Sequence, residues 1–545
     1  MNKIISVIFL LLFGQGLQAQ SSGFETIKNL ELMDQVFEHL DLYFVDEPSP
    51  AKMAKKGIDA MLKELDPYTV FIHESNIEDY RLMTTGEYGG IGALIRKIDE
   101  YVYITEPYED NPAFEAGLKA GDRILRIEGI DMKNKSSEEV SSALKGPKGS
   151  KIEVEIERFG GDKKKISVQR DEIKLKDVPF SGMIDSSIGY IKLNSFTPTA
   201  SSEVEKAMKA LREEGMKQLV FDLRGNGGGL LMEAVKIVNF FVPRNQLVVS
   251  TKGRMKEESQ EFKTQIDPIE PDLPLTVLID ENSASASEIV AGSLQDLDRA
   301  VIVGQTSFGK GLVQRTYNLE YGSKIKITIA KYYTPSGRCV QRLEYYDKKE
   351  GMKPVEIADS LLQKFKTKNG REVIDGRGIE PDVEVELKNL STLSLQLMTN
   401  ASIFKFANEF QSRNTSIEGP KEFDLSDAIY DQFLSFMKGQ NFDYRTESFE
   451  ELKKLEGAVD RDQMSEEMRE LLLSAKETLK PSLERDLRKF KIEIKELLEN
   501  EIISRYYFQK GRAINAFKND EVLNSAKSIL LNPENYKRLL SVIEK

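Results

Sequence analysis

Apolar and polar positions follow different rhythms in successive stretches of this chain. Over residues 20–86 the apolar positions fall at helical spacing. Leu32, Val36, Phe37, Leu40 and Leu42 predict a helix over 30–44, and a second is expected over about 50–65, stopped by Asp66-Pro67. Over 87–172 short β-rich runs take over, at 101–105 and 152–157. Gly-rich turns and one short helix about 137–144 separate them, which predicts a compact β domain. Over 173–388 strands and helices alternate. Strands are expected at 188–193, 218–223, 275–280, 300–303 and 325–332, with helices at 200–214, after the glycine loop 225–229, and at 286–297. That alternation implies an α/β layered core. Residues 389–545 return to helical spacing with many charges, in long amphipathic patterns at 463–475 and 484–507, split by Pro481. The expected fold class is therefore multidomain α/β and α+β: a helical N-terminal region, a β-rich domain, a layered core and a long helical C-terminal region.

Composition narrows the picture. The chain has 545 residues, 40% hydrophobic and 30% charged, as in soluble globular proteins of several domains. A formal net charge of −12 argues against general binding to nucleic acid or anionic membranes. Lys3, the apolar run 4–13 and the small and polar residues up to Ala19 have the layout of a secretory signal, too short for a membrane span. The mature chain is expected to be exported to the periplasm, with no span after signal cleavage. Cys339 is the single cysteine, so no intrachain disulfide can form. The two histidines, His39 and His73, lie far from the layered core in sequence. Their position argues against a Ser–His–Asp triad, a Cys–His dyad or a zinc site.

Four segments can carry chemistry. The strand at 275–280 leads through Glu281-Asn282-Ser283-Ala284-Ser285-Ala286-Ser287-Glu288 into a helix. Free N–H groups at a helix start stabilise an oxyanion. The same residues, Ser285 and Glu288, also fit an ordinary capping box, and three serines compete for any role. Next, Lys310 stands between Gly309 and Gly311, beside Phe308. A lysine starved of water there has a lowered pKa and can take a proton from a serine. Gly304 to Gly311 also approaches a P-loop, but Gly311 lacks the hydroxyl that magnesium needs. Third, Asp222-Leu-Arg-Gly-Asn-Gly-Gly-Gly229 can present bare N–H groups to negative charge, or simply turn the chain. Fourth, Tyr88-Gly89-Gly90-Ile91-Gly92-Ala93 opens the β domain, where loop N–H groups can take a peptide carboxylate.

These segments, in this order, resemble the C-terminal processing peptidases, or tail-specific proteases of family S41, over about residues 25–388. The loop at 88–93, Pro112-Ala-Phe-Glu-Ala-Gly-Leu118 and Gly121-Asp-Arg-Ile-Leu125 resemble a PDZ domain. Asp66-Pro-Tyr-Thr69 and Gly378-Ile-Glu-Pro-Asp382 extend the match. The resemblance implies a Ser285 nucleophile, a Lys310 general base and a Gln314 that orients it. It also implies an oxyanion hole from the Ala286 N–H and Gly228 or Gly229, and substrate-tail binding at Tyr88, Gly89, Gly90, Ile91, Gly92 and Ala93. The implied layout is a signal peptide (1–19), an N-terminal helical region (20–86), a PDZ domain (87–172), an S41 core (173–388) and a helical extension (389–545). The expected activity is serine endopeptidase cleavage of proteins chosen by their C-terminal tails, with no cofactor or metal. Partners would be protein or peptide substrates, with an adaptor or a second copy engaging the helical regions. Two readings compete: an inactive PDZ scaffold, and an S41-like fold acting on a small ligand. A longer charged stretch between Arg338 and Gly378, and the long helical tail, depart from the family pattern.

Overall fold

The computed structural model describes residues 2–345, 354–386, 389–462 and 465–542, with side chains from residue 23 onward. The leader's side chains, part of the charged stretch before Gly378 and the start of the 463–475 pattern lie outside these. The described chain forms two compact units. Among the described residues, one comprises 2–77, 314–328 and 345, and the other the remainder.

In the first unit, helices Asn2–Tyr43 and Pro50–Lys63 carry the helical spacing of the N-terminal region. Pro50 begins the second helix, where its missing N–H costs nothing. The Asp66-Pro-Tyr-Thr signature is a turn built on one carboxylate. Tyr68 and Thr69 donate their N–H groups to Asp66 Oδ1 at 2.7 and 2.8 Å, and the Thr69 hydroxyl donates to Oδ2 at 2.9 Å. The turn launches strand Val70–Ile72, which pairs antiparallel with residues 324–326.

The second unit is built around a six-stranded sheet ordered Phe180–Met183, Ile188–Lys192, Gln218–Asp222, Leu275–Ile279, Val301–Gly304 and Val383–Glu384. The first pair is antiparallel and the rest parallel. Parallel strands are covered on both faces, and every residue of Leu275–Ile279 is buried. Successive side chains point to opposite faces. Leu219 and Phe221, with Val277 and Ile302, meet helices Ala200–Glu213, Leu231–Asn239 and Ala286–Asp296. Val220, Leu278, Val301 and Val303 meet Val522, Leu523, Ala526 and Ile529 of helix Glu521–Leu530. The core thus draws one of its covering layers from near the end of the chain.

The β domain is an antiparallel sheet ordered Ala93–Ile98, Tyr101–Pro107, Arg123–Ile127, Lys151–Arg158 and Asp162–Gln169. Lys151–Arg158 alternates exposed and buried, sending Ile152, Val154 and Ile156 into the domain core. Helix Ser137–Leu144 starts at Ser136, which forms a capping box with Glu139. Strands Glu87–Gly90 and Asp171–Lys174 pair where the chain enters and leaves.

The C-terminal helices pack around Phe406, Phe410, Tyr430, Phe433, Leu498 and Ile502. The 484–507 pattern is realised as Leu483–Lys489 and Lys491–Ala516. The latter is broken at Phe508, which has φ 52° and ψ −152°. The 463–475 pattern becomes Glu466–Leu479, packed against Glu447–Arg461. These helices hold the β domain from the side. Arg96 donates to Met398 O and Thr399 O at 3.1 Å each, Tyr103 packs edge-on against Phe404, Phe114 against Phe508, and Arg512 pairs with Glu106.

Candidate active site

Strand Leu275–Ile279 ends in a turn of small residues, and Ser285 begins helix Ala286–Asp296 with φ 56° and ψ −112°. A side chain at this positive φ is strained, and the strain turns the chain sharply between strand and helix. Of the three candidate serines, Ser283 donates its hydroxyl to Leu223 O and Ser287 to Asn226 O, both at 2.9 Å, and both are buried. Ser285 is half-exposed. The backbone beneath it is fixed by Ala284 N–H donating to Asn226 O at 3.0 Å and by the buried Tyr332 hydroxyl donating to Ser285 O at 3.2 Å.

Lys310 lies in the loop that follows strand Val301–Gly304, and is half-buried. This loop and the Ser285 turn are gathered by one carboxylate. Glu288 Oε2 accepts the N–H of Ser285 and the N–H of Lys310, each at 2.8 Å. Its Oε1 accepts the Ser307 hydroxyl at 2.6 Å and the Gly309 N–H at 2.7 Å. Phe308 N–H adds a bond to Ser283 O at 3.0 Å. Burial pushes the Glu288 carboxyl above its usual range, and the four donors pull the other way. The S-x-x-E pattern that reads as a helix cap is therefore also a clamp between two loops. The capping half is legible in sequence, whereas the clamp depends on residues 307–310 leaving the neighbouring strand Val301–Gly304 beside the Ser285 turn.

The glycine loop approaches the same turn. A Cβ built on Gly228 would lie 2.7 Å from Ala284 O, 2.8 Å from Ser285 Cβ and 2.9 Å from Ala286 N, so only glycine fits there. Gly229 instead lies against Phe196, with which it forms a bridge. Ala286 is the first helical residue, so its N–H has no partner within the helix. The Gly228 N–H donates to Asn226 Oδ1 at 2.8 Å. Asn226 is fully buried, and its amide also donates to Leu193 O at 2.9 Å. Asn226 and Glu288 thus shape the site although the sequence reading assigned neither a chemical role. Asn226 carries no sequence signal beyond its place among glycines.

Asp222, at the head of this loop, accepts the Tyr190 hydroxyl at 2.6 Å and pairs with Lys192 and Arg224. Burial would raise its pKa, but Arg224 and Lys192 overcome that and hold it below the usual carboxylate range. Arg224 reaches on to Asp520 at 2.7 Å, the cap of helix Glu521–Leu530. Gln314, in strand Leu312–Asn318 after the lysine loop, donates its side-chain amide to Thr328 Oγ1 at 3.2 Å within the first unit. In the β domain, Tyr88, Gly89 and Gly90 lie in strand Glu87–Gly90, Ile91 is buried, and Ala93 opens strand Ala93–Ile98 at the sheet edge.

Comparison with known proteins places these features in a family. The family model described as Peptidase family S41 matches residues 187–349. A PDZ domain model matches 89–169, and one described as Probable PDZ-protease, C-terminal helical domain, matches 393–530. The carboxy-terminal-processing protease of Bartonella bacilliformis is 35% identical over 347 residues, covering 63% of this chain and 78% of that protein. A probable CtpA-like serine protease of Staphylococcus aureus is 29% identical over 391 residues, covering 71% of this chain and 70% of its own. Among solved structures, a photosystem II D1 C-terminal processing protease aligns at 25% identity and TM-score 0.35, covering 65% of this chain and 92% of that one.

Proposed function

Since this chain belongs to the S41 carboxy-terminal-processing serine proteases, we propose that it is an exported endopeptidase working through a Ser285–Lys310 dyad on proteins presented by their C-terminal tails. The observation that carries the dyad is the shared Glu288 oxygen, which accepts the backbone N–H groups of both residues. Neutral Lys310 takes the Ser285 proton, and Oγ attacks the scissile carbonyl. The oxyanion meets the Ala286 N–H and an N–H of the Gly228–Gly229 loop. As the tetrahedral intermediate collapses, the Lys310 ammonium returns the proton to the departing amine. Lys310 then draws a proton from water, which attacks the acyl-enzyme, and hands it to Ser285 Oγ as the ester bond breaks and the second product leaves. The family resemblance assigns Gln314 the task of orienting Lys310. No metal or organic cofactor takes part.

Residues 87–172 are assigned the task of tail binding and 1–19 that of directing export to the periplasm. The apolar run 4–13 and the edge position of strand Ala93–Ile98 support these assignments.

The test is cleavage of an unfolded reporter with and without an apolar C-terminal tag. Ser285→Ala and Lys310→Ala should each lower kcat by at least about 1,000-fold without unfolding the protein. Full activity in Lys310→Ala would refute the base, and equal cleavage of both reporters would refute tail selection.

A further inference from the structure

Between the β domain and the C-terminal helices lies a cavity of about 670 Å³, within the size range of small-molecule sites. Its apolar wall is formed by Pro107, Phe114, Leu118, Phe159 and Phe508. Leu118 is buried, whereas Phe114 and Phe159 remain 40% and 48% exposed. Rings left open beside a cavity are surface that an apolar ligand can cover.

One buried polar group bordering this cavity lacks an acceptor. Asn408, in helix Ser402–Arg413, is only 7% exposed. It lies against Gly121 of the β domain, where a built Cβ would stand 2.6 Å from Asn408 Cγ and 2.7 Å from Nδ2. The buried Arg505 donates its Nε–H to Asn408 Oδ1 at 2.9 Å. Arginine carries donors alone, so the amide oxygen must face it and the orientation of the amide is fixed. That leaves the two Nδ2 hydrogens, which no described residue accepts. A buried donor left so is unfavourable, and an acceptor in the cavity would satisfy it.

The charges around the cavity select the kind of acceptor. Arg158 donates to Asp122 through Nε at 2.8 Å and Nη2 at 2.7 Å, and through Nη2 to Gly117 O at 2.9 Å. Asp122 balances Arg158 and Glu501 balances Arg505, while Lys119 adds a further positive charge to the wall. Among the described residues that line the cavity, none is acidic. An anionic acceptor is therefore favoured over a neutral one. A peptide that adds to a sheet needs a strand edge. The outer strands of the β domain, Ala93–Ile98 and Asp162–Gln169, contribute nothing to these walls. The ligand that fits has an apolar body and an anionic end but no backbone to pair.

We propose that this cavity is a ligand site for a fatty acid: the carboxylate accepts from Asn408 Nδ2 in the field of Arg158 and Lys119, and the acyl chain lies along the apolar wall. Its walls come from the β domain and the helices alike, so an occupant ties the two together. The site is independent of the dyad and of tail binding.

The test is calorimetric titration of the full chain with octanoate, and with octanol as a neutral ligand of equal chain length. One octanoate should bind per chain with a Kd of about 0.1–1 mM, and octanol at least about fivefold more weakly. Asn408→Asp keeps Oδ1 for Arg505 but sets an anionic oxygen in place of the N–H groups. It should weaken octanoate at least about tenfold and octanol by less than about threefold. Ala120→Phe, which fills the cavity from its wall, should abolish the binding of both. A urea transition shows whether each variant is folded. Absence of octanoate binding, octanol binding as tight as octanoate, or undiminished octanoate binding in either folded variant overturns the proposal. If one variant does not fold, the other and the comparison of the two ligands decide it.

Discussion

Ser285 holds φ 56° and ψ −112°, a conformation costing a residue with a side chain about 1–3 kcal/mol. It persists because its neighbours over-determine it: Ala284 is tied to Asn226, Ser285 O to Tyr332, and Ser285 N to Glu288. Glu288 is the most demanding of these residues, being fully buried with two donors on each oxygen. A glutamine of the same shape offers only one acceptor oxygen, so its amide must face one of the donor pairs. Glu288→Gln should therefore lower kcat by at least about 100-fold, change KM little, and cost about 3 kcal/mol of stability. Steady-state kinetics on the tagged reporter and a urea titration check both. Retained kcat would mean that the two loops find their places without the clamp.

Among the elements, helix Glu521–Leu530 has the largest consequence for its distance in sequence. It covers the sheet face formed by Val220, Leu278, Val301 and Val303, and Leu523 within it is fully buried. Asp520, at its start, caps the helix through the Leu523 N–H at 2.9 Å and holds Arg224 beside the glycine loop. The C-terminal region thereby completes the protease core as well as gripping the β domain. Leu523→Ala should destabilise the whole chain by about 2–5 kcal/mol, read from a cooperative urea transition. A loss confined to the C-terminal helices, with the core transition unmoved, would show that this layer is dispensable. The broken helix Lys491–Ala516 is the second unusual element. Its residue Phe508 holds a conformation rare for a bulky side chain and packs edge-on against Phe114 of the β domain, their ring centroids 5.6 Å apart.

At the scale of the whole molecule, acid stability follows from buried carboxylates. The folded pKa of Asp222 is below its free value of 3.8, so its contribution is fully present above that value. It is lost as pH falls through 3.8 toward the folded pKa. Asp222→Asn should cost about 3 kcal/mol near neutrality, because Arg224 and Lys192 lose their buried partner. The gap from the unsubstituted protein should close as pH drops below about 4, measured by urea midpoints across pH. Glu288 and Glu106, raised by burial, act in the opposite sense: they favour the fold at low pH and lose that contribution as pH rises through 4.5. The difference between variant and parent isolates Asp222 from them.

The sequence by itself determined much of this molecule. The two-residue and 3.6-residue periods announced the strands and helices of each region, because burial of a sheet face or a helix stripe forces those periods. The motif residues of the Ser285 turn, lysine loop, glycine loop and β-domain loop were all legible, since a tight turn or a bare amide restricts the residue types allowed. Only the tertiary structure decided which groups meet. It put the Ser285 and Lys310 amides on one Glu288 oxygen, set Gly228 against Ala286, and brought Asp520 to Arg224. Local sequence fixes backbone dihedrals and which face is apolar. Contacts between groups tens or hundreds of residues apart are set by how the layers pack, and no periodicity records that.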